Sequence, residues 1–184
     1  METLIARGIN TVNYDDYKTH DAKNPFEPIK KKVEETAPHS AQFAFYLASM
    51  LYHSSMIEHL ITEGSAVVRS RYIDDVVAHH AHLEVPYVQQ IAKLFPILQP
   101  DLRVVLMLPE EVRRQRVFYR GEINTRDKDT KVAGSRADFF ERFLIHTAHK
   151  FLDSGKALIV DTSIRSPHEV VECIVDHLVT IQAL

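Results

Sequence analysis

Arg71 directly follows the run Val67-Val68-Arg69-Ser70, which reads as the end of a strand. A guanidinium at that end of a strand can hold a phosphate through two parallel hydrogen bonds. The plainer alternative is a surface arginine paired to a carboxylate. Arg113, Arg116 and Arg120 are three and four residues apart, and Arg114 lies beside them. On a helix the three share a face, where they repel one another unless an anion sits opposite. A polyphosphate is a natural anion for them; a solvated face paired with Glu110 and Glu111 is the alternative.

Asp15 and Asp16 end another apolar run. A carboxylate there can accept a hydroxyl proton or hold magnesium, although Asp also favours ordinary turns. Residues 121–134 read GEINTRDKDTKVAG, nearly without apolar side chains. They are expected to form a flap, or lid, with Arg126 and Arg136 able to swing towards a substrate. A surface loop without a role is the competing reading. Tyr14, Tyr46 and Tyr72 are candidate stacking platforms for a base, and helical spacing equally suits Tyr46 to a core. His79, His80 and His82 lack the i, i+4 spacing of metal-binding histidines on a helix, so no metal site is expected. Cys173 beside Val171 and Ile174 reads as a small core residue.

Positioning these groups requires a scaffold. Four apolar runs read as strands: Ile9 to Tyr14, Ala66 to Arg69, Leu102 to Leu108 and Ala157 to Val160. The last three are rich in Val, Ile and Leu, as parallel strands buried on both faces tend to be. Helices are predicted for Gln42 to Ile61, Pro86 to Leu94, Pro109 to Tyr119, Ala137 to Leu152 and from Ser166 onward. Glu63-Gly64 supplies a C-terminal stop, and Ser166-Pro167-His168-Glu169 a capping box. Alternation of strands and helices predicts an α/β fold, with a mainly parallel sheet flanked by helices. Ligands then bind beyond the carboxyl ends of the strands, at Asp15-Asp16, Ser70-Arg71-Tyr72, Leu108-Pro109 and Asp161-Thr162-Ser163.

The 184 residues suit one domain, residues 1–184, with its lid at about 121–136. Hydrophobic residues are 45% and charged residues 26% of the chain, a globular balance that excludes a disordered or collagen-like chain. The single cysteine excludes an intrachain disulfide and suits a reducing, cytoplasmic compartment. No apolar run approaches the roughly 18 residues of a membrane span, and Met1-Glu2-Thr3 does not read as a signal peptide. A formal net charge of −3 with no basic tail gives no sign of binding to a nucleic-acid polymer.

Val67-Val68 with Arg71-Tyr72, then Gln99-Pro100-Asp101-Leu102, Pro109-Glu110-Glu111-Val112 and an arginine helix closing in Arg120-Gly121 occur in this order. With them the chain resembles thymidylate kinase and its deoxynucleoside-kinase relatives, a branch of the P-loop kinases. The resemblance implies a P-loop nucleoside/nucleotide-kinase-like fold. It implies transfer of the ATP γ-phosphoryl, with Mg2+, to a nucleoside monophosphate or nucleoside. Arg71, next to Tyr72, would hold the acceptor phosphate. Arg116 and Arg120 would approach the transferring group, and Asp16 would act as base for a nucleoside acceptor. Tyr46 would stack on the acceptor base, with His79 near it. Thr162 and Ser163 would lie on the adenine loop. Family members are often dimers, and Gln42 to Ile61 could pair with a copy of itself.

The chain departs from the family pattern in four places. It contains no Gly-Lys-Ser/Thr. The family's first strand and phosphate loop are therefore expected to be absent, as if the chain began about 20 residues late. Loss of that central strand should expose apolar edges. Ser70 replaces an acidic residue, Met50 stands where thymidylate kinases place a base-reading arginine, and His79-His80 replaces a Tyr-Gln pair. Two further readings follow: a catalytically inactive kinase-like nucleotide-binding or scaffold protein, and a kinase of another small molecule.

Overall fold

A computed structural model describes residues 10–14, 24–83, 85–109, 111–113, 115–116 and 142–181. The chain divides into two compact units, Met1–Gln99 and Pro100–Leu184.

In the first unit the elements run β1 (Thr11–Asn13), α1 (Glu27–Thr36), α2 (His39–Thr62), β2 (Ala66–Val68), α3 (Ile73–His82) and α4 (Val88–Ala92). β1 and β2 pair in parallel, with Thr11, Val12 and Asn13 opposite Ala66, Val67 and Val68. Two strands alone are marginal in water, so packing must hold them. Tyr14, Ile57 and Leu60 form the buried cluster beneath them, joined by Val12, Met56, Val67, Tyr72 and Leu98. α2 also buries Phe43, Leu47 and Met50, at helical spacing. α1 ends because Pro38 forces Ala37 into extended backbone (φ −88°, ψ 146°). α2 ends in a Schellman turn: Ser65 N–H donates to Leu60 C=O (3.0 Å) and Gly64 N–H to Ile61 C=O (2.9 Å). Gly64 takes φ 86°, which only glycine adopts without strain.

The second unit holds β3 (Arg103–Met107), β4 (Ala157–Asp161) and α5 (Pro167–Thr180), with further helical residues at 111–113, 115–116 and 142–152. β3 and β4 are parallel, in register from Arg103–Ala157 to Met107–Asp161. Ala148, Ala157, Val160, Val170 and Val175 form its buried interior. Arg103 is buried too, its guanidinium 4.1 Å from the Phe151 ring centroid. α5 carries the predicted capping box, with Ser166 Oγ accepting from Glu169 N–H (3.3 Å) and the Glu169 carboxylate from Ser166 N–H (2.7 Å). Val68 in β2 and Leu106 in β3 remain 48% and 56% exposed.

The four strands fall within the predicted runs, apart from Asp161, which extends β4 by one residue. They form two two-stranded parallel sheets. The result is a helix-rich α/β chain. Helices α1 and α3 were not anticipated by spacing. α1 has no fully buried residue to make an apolar stripe. α3 interleaves its buried Ile73, Val76 and Val77 with aspartates and histidines.

Candidate functional site

At the carboxyl end of β2 the chain turns sharply. Arg71 adopts φ 54°, a left-handed conformation uncommon outside glycine. That kink leaves Arg71 exposed, puts Tyr72 at the N-cap of α3 and directs Asp74 and Asp75 into the first helical turn. Strain of this kind costs about 1–3 kcal/mol and tends to collect where ligands are held.

Two residues before it, the Arg69 guanidinium lies between two rings, 5.1 Å from the Tyr14 centroid and 4.9 Å from that of Tyr72. Its Nη2 donates to the Met50 sulfur at 3.5 Å. Burial pushes the Tyr72 phenol above its ordinary pKa, while the Ser54 hydroxyl and the Arg69 charge pull it down. Tyr14, read as a possible stacking platform, is instead a core residue. It is buried and hydrogen-bonds through its hydroxyl to His53 Nδ1 (2.8 Å).

Tyr46 on α2 and His79 on α3 flank a third ring. His80 is fully buried, with ring centroids 5.1 Å from Phe43, 5.7 Å from Tyr46 and 4.9 Å from His79. Among the described residues neither His80 nitrogen has a hydrogen-bond partner. Burial, helped by the charge of His39, lowers its pKa to about 4. The Tyr46 hydroxyl donates to the Glu34 carboxylate, which ties its ring to α1. Among the described residues no group of three or more His, Cys, Asp or Glu could hold a metal ion.

The second unit carries its own concavity at the ends of β3 and β4. A groove of about 490 Å³ is lined by Leu106, Arg116, Thr162, Arg165, Pro167 and Val170. Thr162 extends the β3–β4 pairing: its N–H and its hydroxyl both reach Met107 C=O at 2.9 Å. Its own carbonyl accepts from Arg116 Nη2 (2.8 Å). Ser163 donates its N–H to Asp161 Oδ1 (2.8 Å), and the Ser163 hydroxyl first, then this N–H, hold the Asp161 carboxyl below its usual range. Arg165 Nη1 donates to Asp161 C=O (2.8 Å).

Arg71 with Tyr72 thus stand at one strand end, Tyr46 with His79 on two packed helices, and Arg116 with Thr162 in the groove. Asp16, Arg120, Arg126, Arg136 and the lid lie outside the described residues. Arg69 and Arg165 were missed by sequence reasoning. Arg165 was findable by the same rule that selected Arg71, a cation just beyond a strand's carboxyl end. Nothing in spacing announced Arg69, because its partners are Tyr14 just after β1, Met50 on α2 and Tyr72 at the N-cap of α3.

Among the described residues no helix is long and apolar enough to cross a membrane. Comparison with curated proteins gave no match. The family model described as thymidylate kinase matches residues 1–174, nearly the whole chain. The chain therefore belongs to the thymidylate kinase family.

Proposed function

We propose that this protein is a thymidylate-kinase-like phosphotransferase that moves the γ-phosphoryl of a nucleoside triphosphate onto a nucleoside monophosphate or nucleoside. Family membership supports a nucleotide-kinase-like function, with ATP and magnesium as the usual donor pair. The observation that carries the finer reading is Arg71, kinked out of β2 into solvent by a left-handed backbone. In this reading its guanidinium holds the acceptor phosphate. Tyr46, braced by Glu34, stacks on the acceptor base. Arg69 brings a cation to the Met50 sulfur, beside the helix position where thymidylate kinases carry a base-reading arginine.

Arg116 and Thr162 serve the donor side, with Arg120, Arg126 and Arg136 neutralising charge as the phosphoryl group transfers. Magnesium would travel with the donor phosphates, since it usually keeps substrate oxygens and waters as ligands. Asp16 would accept the proton of a nucleoside hydroxyl. We place the protein in the cytoplasm, as one kinase domain able to pair with a second copy.

A second reading, a kinase-like protein that binds nucleotide without turning it over, is favoured by one observation. The sequence has no Gly-Lys-Ser/Thr to cradle donor phosphates. Both readings require acceptor binding. Calorimetry with a panel of nucleoside monophosphates should give heat with at least one. Arg71→Ala should weaken that binding at least tenfold, as loss of a bidentate phosphate contact does. An Arg71→Ala variant that binds as tightly as the parent removes Arg71 from its role.

A further inference from the structure

Between β2 and α3, Ser70 and Arg71 are exposed, and Arg69 and Tyr72 on either side of them are half-buried. Both flanks of this turn are fixed. Upstream, Val68 pairs with Asn13 in the β1–β2 ladder. Downstream, Tyr72 C=O accepts from Asp75 N–H (3.1 Å) and Val76 N–H (3.3 Å), and Ile73, Val76 and Val77 are buried along α3. The change of direction is taken up at Arg71, with φ 54°. A residue with a side chain keeps such a backbone where its surroundings over-determine it.

The Arg69 side chain crosses the turn. Its guanidinium lies 4.9 Å from the ring centroid of Tyr72, three residues on. The same group lies 5.1 Å from the Tyr14 ring, whose hydroxyl is bonded to His53 on α2. Its Nη2 reaches the sulfur of Met50 on that helix. A planar cation between two rings holds both in place. Tyr72 also packs on the Tyr14, Ile57 and Leu60 cluster, so the clamp ties the start of α3 to the core of this unit.

We infer that Arg69 is a positioning residue for the acceptor phosphate: it bridges the end of β2 to the N-cap of α3 and so holds Arg71 in the conformation that presents its guanidinium. The inference rests on the role proposed above for Arg71. Without the clamp the Tyr72 ring is released and Arg71 relaxes out of the left-handed region. Apparent affinity then falls by the fraction of molecules that keep the turn, about tenfold if a tenth of them do.

The test is a double-mutant cycle read by calorimetry on the full chain. The monophosphates of thymidine, deoxycytidine, deoxyadenosine and deoxyguanosine are titrated into the parent, together with the nucleosides themselves. The tightest monophosphate is carried into Arg69→Met, Arg71→Ala and the double variant. Arg69→Met keeps an apolar stem and loses the cation. It should weaken that monophosphate about tenfold and its nucleoside far less. In the Arg71→Ala background the same substitution should change affinity by less than about twofold. Tyr72→Leu removes the ring from the other side of the clamp and should give the same pattern. Undiminished binding in either variant overturns the inference and leaves the role of Arg71 standing. So does a loss that persists beside Arg71→Ala, or one as large for the nucleoside, because Arg69 would then act on the base or on the fold. An Arg71→Ala variant that binds like the parent, or a parent that binds none of the monophosphates, overturns the acceptor-site reading and the inference with it.

Discussion

Acidification should destabilise this protein through His80. The imidazole is fully buried, ringed by Phe43, Tyr46 and His79, and neither nitrogen has a hydrogen-bond partner among the described residues. Its pKa falls from 6.5 to about 4 on folding, first through burial and then through His39. A lowered folded pKa means that the unfolded chain binds the proton first. Stability is then complete above pH 6.5 and is lost as pH falls from there towards 4. Each pH unit in that window costs about 1.4 kcal/mol, and the whole window about 3 kcal/mol. That is a large share of the roughly 5–15 kcal/mol that hold a typical domain together. The assay is urea unfolding from pH 4 to pH 8, with the parent compared against His80→Leu, a near-isosteric side chain that cannot titrate. Carboxylates and the other histidines contribute alike to both proteins, so the difference isolates His80. The parent should lose about 3 kcal/mol more than His80→Leu across the window. Parallel pH profiles would refute the argument. So would an imidazole titration of His80, followed by nuclear magnetic resonance, that stays near 6.5.

Other predictions concern backbone and caps. Gly155 takes φ 71°, and a Cβ there would lie 2.7 Å from Ile181 Cγ2. Gly155→Ala should therefore cost about 2–3 kcal/mol, combining left-handed strain with a clash against a stiff branched side chain. Gly64→Ala, at φ 86° with nothing within 4 Å of its Cβ, should cost only about 1 kcal/mol. Equal losses in urea unfolding would contradict that ranking. Ser166→Ala removes the hydroxyl that accepts from Glu169 N–H and should destabilise α5 by about 1 kcal/mol, read as a lower midpoint at unchanged slope. Tyr14→Phe leaves buried His53 Nδ1 without its tyrosine partner and should cost about 1–3 kcal/mol, an outcome that a neutral substitution would exclude.

The strands were legible in the sequence because Val and Ile runs announce themselves without tertiary context. Val104-Val105-Leu106 and Leu158-Ile159-Val160 pair as neighbours in parallel register. The Gly64 stop and the Ser166-to-Glu169 cap were equally readable, since each is a local arrangement of four or five residues. Residues whose meaning depends on distant partners were not. Arg69 looks like any strand-end arginine until Tyr14 and Tyr72 close over it. His80 sits in a string of histidines that reads as polar, yet it is core, because a neutral imidazole can be buried as a ring. Arg165 was passed over in favour of Thr162 and Ser163, and it is Arg165 that lines the groove with Thr162.

The central claim is phosphoryl transfer to a nucleotide acceptor. The direct measurement is incubation of the full chain with γ-labelled GTP or ATP, magnesium and a panel of nucleoside monophosphates and nucleosides, followed by separation of the products. The account predicts label on at least one nucleoside monophosphate or nucleoside, and its loss in Arg71→Ala. Acceptor binding with no labelled product would contradict the kinase reading and leave a nucleotide-binding protein on a kinase fold.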